Sequence, residues 1–183
     1  PSEWIYGDNV DKKLSVTYDG VEMNADQYDL TITEAIRGEI YQGNDKAAAL
    51  AELSDPGTYT ITAQGTGVYE DSNDTTTVTI HKIKPTVSVT ADPTSLSGSG
   101  TVTLALSGTN LPAGTDLAQL LSVNTINGTG LDLSKLNWTE ENGVWTTSFD
   151  AANANETYTF TLQLKGNEYY ESASSTEKVV TAR

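Results

Sequence analysis

Few residues in this chain are equipped for chemistry. The 183 residues include one histidine, His81, and no cysteine. Thiolate catalysis, disulfides and Cys-ligated metals are excluded on composition alone. A Ser-His-Asp centre would have to use His81. Strand alternation over residues 75–81 puts it with Thr77 and Thr79, opposite Val78 and Ile80, on a polar face. One histidine also rules out a His-rich metal site. Paired carboxylates can run glycoside hydrolysis. The adjacent pair, Glu140 and Glu141, falls at an expected hairpin tip with no apolar pocket to raise a pKa. No catalytic residues are assigned, and the chain reads as no enzyme.

Two other chemistries remain open. Asp8-Asn9-Val10-Asp11 and Asp71-Ser72-Asn73-Asp74 each offer oxygen ligands in a loop. Calcium needs about six to eight such oxygens, and neither run has the twelve-residue pattern with a closing Glu. Asp71, Asn73 and Asp74 form the better candidate set, with calcium the sole cofactor considered. Asn and Asp also serve turns by bonding their own backbone. For sugars, exposed Trp and Tyr faces are the usual platform. Trp138, Trp145, Tyr169 and Tyr170 are the candidates, against the alternative that both tryptophans fill a core. Tyr169 and Tyr170 are adjacent, so strand geometry would expose one of them.

The elements that must carry these residues are short, β-branched and broken by Gly, Asn and Asp, which is an all-β profile. Net charge is −15, from 25 acidic and 10 basic residues. Residues 1–84 hold 15 acids and 6 bases, and residues 85–183 hold 10 acids and 4 bases. Uniform acidity repels nucleic acid and anionic membranes. No apolar run reaches the length of a membrane span, so direct membrane insertion is not expected. The start at Pro1-Ser2-Glu3-Trp4 shows no signal peptide and reads as a fragment or mature piece.

Along the chain, Asp19-Gly20 between residues 14–18 and 21–23 signals a two-residue hairpin. Residues 28–32 read as a strand, and residues 34–42 give no clear pattern. Residues 44–53 read as a short helix capped by Asn44 or Asp45. Strands 58–64 and 75–81 close the first domain. His81-Lys82-Ile83-Lys84-Pro85 is the expected linker, because Pro85 halts the preceding strand. In the second domain, strands fall at 86–91, 101–106, 157–164 and 176–181. A short helix capped by Thr115 or Asp116 runs to Leu121. A hairpin joins 137–140 to 144–147 through the three-residue loop Glu141-Asn142-Gly143, with a G1 bulge.

The two segments share one strand. Thr58-Tyr59-Thr60-Ile61-Thr62-Ala63-Gln64 returns as Thr157-Tyr158-Thr159-Phe160-Thr161-Leu162-Gln163, with five of seven residues identical. Tyr59, Ile61 and Ala63 share one face, as do Tyr158, Phe160 and Leu162, while threonines line the other. A repeat of about 100 residues marks tandem domains rather than a solenoid. The expected architecture is two β-sandwiches in tandem, residues 1–84 and a more divergent 85–183, each with a short helical insertion.

Asp55-Pro56-Gly57-Thr58-Tyr59 resembles the Asp-x-Gly-x-Tyr signal opening strand F of immunoglobulin-like domains, where the tyrosine hydroxyl bonds back to the backbone. The second copy has Ala154 and Glu156 in place of Asp and Gly, so only Tyr158 carries over. Residues 57–65, with the Pro85-Thr86-Val87 start and the Val102-Thr103-Leu104 strand, are also similar to MBG-type and related bacterial immunoglobulin-like repeats. That resemblance implies an exported bacterial protein, secreted or at the cell surface. It also implies a non-catalytic spacer or adhesive role, with host or cell-wall glycan or protein, and further repeats of the same chain, as partners. It supplies no catalytic residues. The rival expectation is a carbohydrate-binding module attached to a glycan-degrading enzyme, which turns on whether the aromatic candidates form an exposed platform.

Overall fold

The structure, a computed structural model, describes residues 2–128, 130–151 and 155–183. It is all-β and immunoglobulin-like. By contacts it divides into two compact units, Pro1–Ile83 and Lys84–Arg183.

In the first unit the strands are β1 (Ser2–Ile5), β2 (Thr17–Tyr18), β3 (Val21–Glu22), β4 (Tyr28–Glu34), β5 (Gly38–Gly43), β6 (Gly57–Gly65) and β7 (Asn73–His81). One helix, α1 (Lys46–Ala51), lies between β5 and β6. Five strands form a single sheet in the order β1-β7-β6-β4-β5, with β1 parallel to β7 and the remaining pairs antiparallel. In immunoglobulin terms this is A′-G-F-C-C′. The opposing layer is thin. The two-residue strands β2 and β3 join through Asp19 and Gly20, both at positive φ as a type I′ turn requires. Leu14, Val16, Met23 and Ala49, Leu50 and Leu53 at the helix pack against Tyr28, Leu30, Ile32, Tyr59, Ile61, Val78 and Ile80. Asp45 caps α1, its carboxylate accepting from the Ala47 and Ala48 amides at 3.0 and 3.2 Å.

The second unit has the fuller sandwich. Its strands are β8 (Thr86–Asp92), β9 (Ser95–Leu96), β10 (Gly100–Thr109), β11 (Leu121–Ile126), β12 (Thr139–Glu141), β13 (Val144–Ala151), β14 (Glu156–Leu164), β15 (Ala173–Ser174) and β16 (Lys178–Ala182). One sheet runs β12-β13-β10-β8 and the other β11-β14-β16-β9, with β15 on the far end of β14. These orders are D-E-B-A and C-F-G-A′, the two sheets of an immunoglobulin domain. Val102, Leu104, Leu106 and Phe149 from the first sheet meet Tyr158, Phe160, Leu162 and Val180 from the second. Phe149 lies edge-on to Tyr158, ring centroids 5.2 Å apart.

Three local expectations change. The element capped by Asp116 is a 3-10 turn, Leu117–Leu120, and not an α-helix. The second hairpin closes through two residues, since Glu141 pairs directly with Val144. Asn142 and Gly143 both take positive φ, so the turn is type I′ without a bulge. The Gly143 amide donates to the Glu140 carboxylate at 2.7 Å, which holds this tight form. Residues 14–16 are not strand: only Thr17 and Tyr18 pair.

Candidate functional site

The repeated strand sits at the same place in each unit. β6 lies between β4 and β7, and β14 between β11 and β16. Tyr59 and Tyr158 both point inward and are buried. The Tyr59 hydroxyl donates to the Asp55 carbonyl at 2.6 Å and accepts from the Arg37 guanidinium at 2.9 Å. Burial pushes the Tyr59 hydroxyl above its ordinary pKa. Gly57 leaves room for a buried glutamate: a Cβ there would lie 2.8 Å from Glu34 Oε1. The Glu34 carboxylate accepts from the Arg37 and Ile36 amides at 2.7 and 2.9 Å, and Arg37 Nε lies 3.5 Å away.

The second corner exchanges these roles. The Tyr158 hydroxyl donates to the carboxylate of Glu156, which is 1% exposed. The glycine against that carboxylate is Gly128, where a Cβ would lie 2.0 Å from Glu156 Oε1. Ala154 lies outside the described residues.

The sequence-derived ligand candidates are all half-buried. Trp138 and Trp145 are half-buried and pack against the core of the second unit. Trp145 sits across β10 from buried Leu106, on the inner face. Tyr169 and Tyr170 are both half-buried, so neither takes the fully exposed position expected of one of them. The Asn167 side chain accepts from both their amides, at 2.8 and 2.9 Å, and sets them in a turn.

The proposed calcium set lies at the start of β7. Asn73 and Asp74 belong to β7, not to a loop, so their side chains leave opposite faces of the sheet. The Asp74 carboxylate already accepts from the Thr75 amide at 2.9 Å. Among the described residues no three His, Cys, Asp or Glu side chains group as a metal site. His81 is about half exposed and lies 3.6 Å from Glu3 on the paired strand.

What the fold does assemble is a recess of about 680 Å³ in the first unit. Its floor is the inner face of β4, β6 and β7, with Leu30, Ile61, Ala63 and Thr76. Its wall is the segment from Leu14 to Tyr18, and Asp71, Ser72, Asn73 and Asp74 close the remaining side. The opening has a packing cause. Ala63 stands where the repeat has Leu162 in the second unit, and the thin facing layer leaves the sheet uncovered there. The wall is braced. Ser15 donates to Glu22 at 2.8 Å, and Lys46 pairs with the same carboxylate. The Lys46 ammonium also lies 6.0 Å from the Tyr28 ring centroid. Bonding to Lys46, then to Ser15, holds the Glu22 carboxyl below its usual range.

Beside the recess lies an aromatic pair. Tyr18, 45% exposed, meets Tyr69 with ring centroids 5.0 Å apart and planes at 58°. Tyr69 ends a 3-10 turn, Gly67–Tyr69, between β6 and β7. That turn is fixed: Gln64 donates to the Glu70 and Ser72 carbonyls at 2.7 and 3.1 Å. Thr66 donates its amide to the Gln27 carbonyl at 2.8 Å. Gly65 is obligatory here, since a Cβ would lie 2.1 Å from the Tyr69 carbonyl oxygen. Val68 and Val21 stand nearby in sequence, 93% and 69% exposed. Residue type alone did not single out Tyr18 and Tyr69. The available signal was position, with Tyr18 beside the Asp-Gly turn and Tyr69 in the loop after the repeated strand.

No protein-family model matches the chain, and no curated protein matches it. Among solved structures, murine CEACAM1b is similar at 11% identity over 100% of this chain and 96% of that one, with a TM-score of 0.33. The ICAM-5 D1-D4 ectodomain fragment is similar at 13% identity over 100% of this chain and 51% of that one, with a TM-score of 0.31. The three N-terminal domains of the bacteriophage RB49 Hoc capsid protein show 14% identity over 100% and 67%, with a TM-score of 0.25. At these scores the fold assignment rests on the strand orders given above.

Proposed function

We propose that this chain is a non-catalytic extracellular spacer and adhesion module of a bacterial surface protein, working beside further repeats of its own kind. One observation carries the reading. In each unit an early strand lies parallel to the last, β1 beside β7 and, following β8, β9 beside β16. Such a parallel pair passes the chain from one pole of a unit to the other. Pulling on the two ends then loads that ladder along its length, so its hydrogen bonds resist together. This is the arrangement a spacer needs, and it asks for no catalytic group. The recess supports it: its ionisable lining groups are the carboxylates Asp71 and Asp74 and the tyrosines Tyr18 and Tyr28, with no histidine, lysine or arginine.

The test is single-molecule extension of the chain between handles. Two separate unfolding events are expected, releasing at most about 290 Å from the 83-residue unit and about 350 Å from the 100-residue unit. The first unit should yield last, because its terminal ladder pairs four residues, Ser2–Ile5, against two for Ser95–Leu96. Extension of both units at forces that merely straighten an unstructured chain would overturn the spacer role.

A further inference from the structure

We propose that the recess of the first unit is a saccharide site, taking a short neutral glycan against the Tyr18–Tyr69 lip. The proposal gives the adhesive half of the preceding reading its partner class and rests on that reading.

The chemistry comes from the lining. A sugar ring presents an apolar C–H face and a rim of hydroxyls. The negative faces of aromatic rings attract such C–H faces, and the exposed ring of Tyr18 with Tyr69 supplies them at the opening. The hydroxyl rim needs acceptors and donors that converge. Asp74, Ser72 and Thr76 supply carboxylate and hydroxyl groups within one recess. Carboxylates accept from neutral hydroxyls with charge-assisted strength. The volume, about 680 Å³, lies within the roughly 300–1,000 Å³ common for small-ligand sites.

The same lining excludes rivals. It has two aspartates and no base, within a chain of net charge −15, so uronate or sialylated glycans and anionic lipids are repelled. An extended peptide adding to the free end of β7 would need open amide donors. The Thr75 amide there is already closed by Asp74, a familiar way of blunting an edge. The Tyr69 side of the lip is held by Gln64 and Thr66, so a ligand meets a formed surface there and loses less on ordering it.

The experiment uses the whole chain on immobilised neutral oligosaccharides of gluco, galacto and manno configuration, with uronate-bearing glycans and a strand-forming basic peptide alongside. At least one neutral class should bind, and the uronate glycans should not. Tyr69→Ala and Asp74→Asn should each weaken binding about tenfold or more, with the thermal midpoint of the first unit unchanged. Should Tyr69→Ala unfold that unit, Tyr18→Ala at the exposed hairpin carries the same test. Tyr170→Ala in the second unit should leave binding intact. Absence of binding to every neutral class, binding that survives loss of both tyrosines, or binding of the peptide alone would overturn the proposal. Sequential unfolding under force would still support the spacer role in each of those cases.

Discussion

The two units bury a carboxylate beneath the same tyrosine and supply it from opposite sides of the ladder. In the first, Glu34 comes from the end of β4 and meets Gly57 at the start of β6. In the second, Glu156 comes from the start of β14 and meets Gly128, two residues beyond β11. Each pairing is one glutamate and one glycine, because the corner has room for a single side chain beside the tyrosine. The partners differ with the exchange. Glu34 is held by two amides and a guanidinium, and its tyrosine bonds the backbone. Glu156 bonds the tyrosine itself. A second difference runs down the same strand, where Ala63 opposes Leu162. The first unit thereby gives up packing and gains a recess, while the second fills its sandwich.

The glycines offer the strongest way to break this comparison. Gly128→Ala puts a methyl 2.0 Å from a carboxylate oxygen that is almost fully buried. Overpacking of this kind costs about 3 kcal/mol. Gly57→Ala meets Glu34 at 2.8 Å, and the gain from stiffening the unfolded chain offsets part of the strain, leaving about 1 kcal/mol. Chemical denaturation can separate the units, with Trp4 reporting on the first and Trp138 and Trp145 on the second. Equal losses would mean that the two corners are not exchanged versions of one device.

The tyrosines sharpen it next. Tyr158→Phe withdraws the hydroxyl bonded to a glutamate that is 1% exposed and should cost about 2 kcal/mol. Tyr59→Phe breaks a neutral bond to the Asp55 carbonyl and one to a guanidinium that is 46% exposed, for about 1 kcal/mol. The same fluorescence assay measures both. A larger loss at Tyr59 would show that the backbone tie, and not the carboxylate, governs the corner.

What could be read from the sequence was local. Period-two alternation marked β6 and β14, with the correct face inward, because each strand carries its own pattern. Asp19-Gly20 declared a turn by its own chemistry, and a cap was legible to within one residue, Asn44 or Asp45, of which Asp45 is the one used. The strands β1, β5 and β11 went unread because pairing creates them. Ser2–Ile5 has no clear alternation and is a strand through β7. Glu141-Asn142-Gly143 was read one residue too long, since the register of Glu141 with Val144 is a cross-strand fact. The site shows the same limit more sharply. Trp138 and Trp145 drew notice by type and pack half-buried against the core, whereas Tyr18 and Tyr69 meet only when the hairpin and the turn after β6 come together.

The smallest expected effect concerns acid, and it isolates the amide-held corner. The Arg37 amide, opposed by burial and helped by the Ile36 amide and the Arg37 charge, holds the Glu34 carboxyl below the ordinary glutamate range. A carboxyl depressed on folding stabilises the folded state above its unfolded pKa, and that contribution fades as pH falls through the folded value. Glu34→Gln should therefore lower the melting midpoint of the first unit near neutrality. The gap from the parent chain should close as pH falls below the ordinary glutamate range and through the depressed folded value, where the parent carboxyl also becomes neutral. The second unit should show no change on this substitution in either condition, because Glu34 belongs to the first unit. A gap that stays constant across this range would assign the loss at Glu34 to shape and hydrogen-bond geometry, and would remove charge from the account of how the first corner holds together.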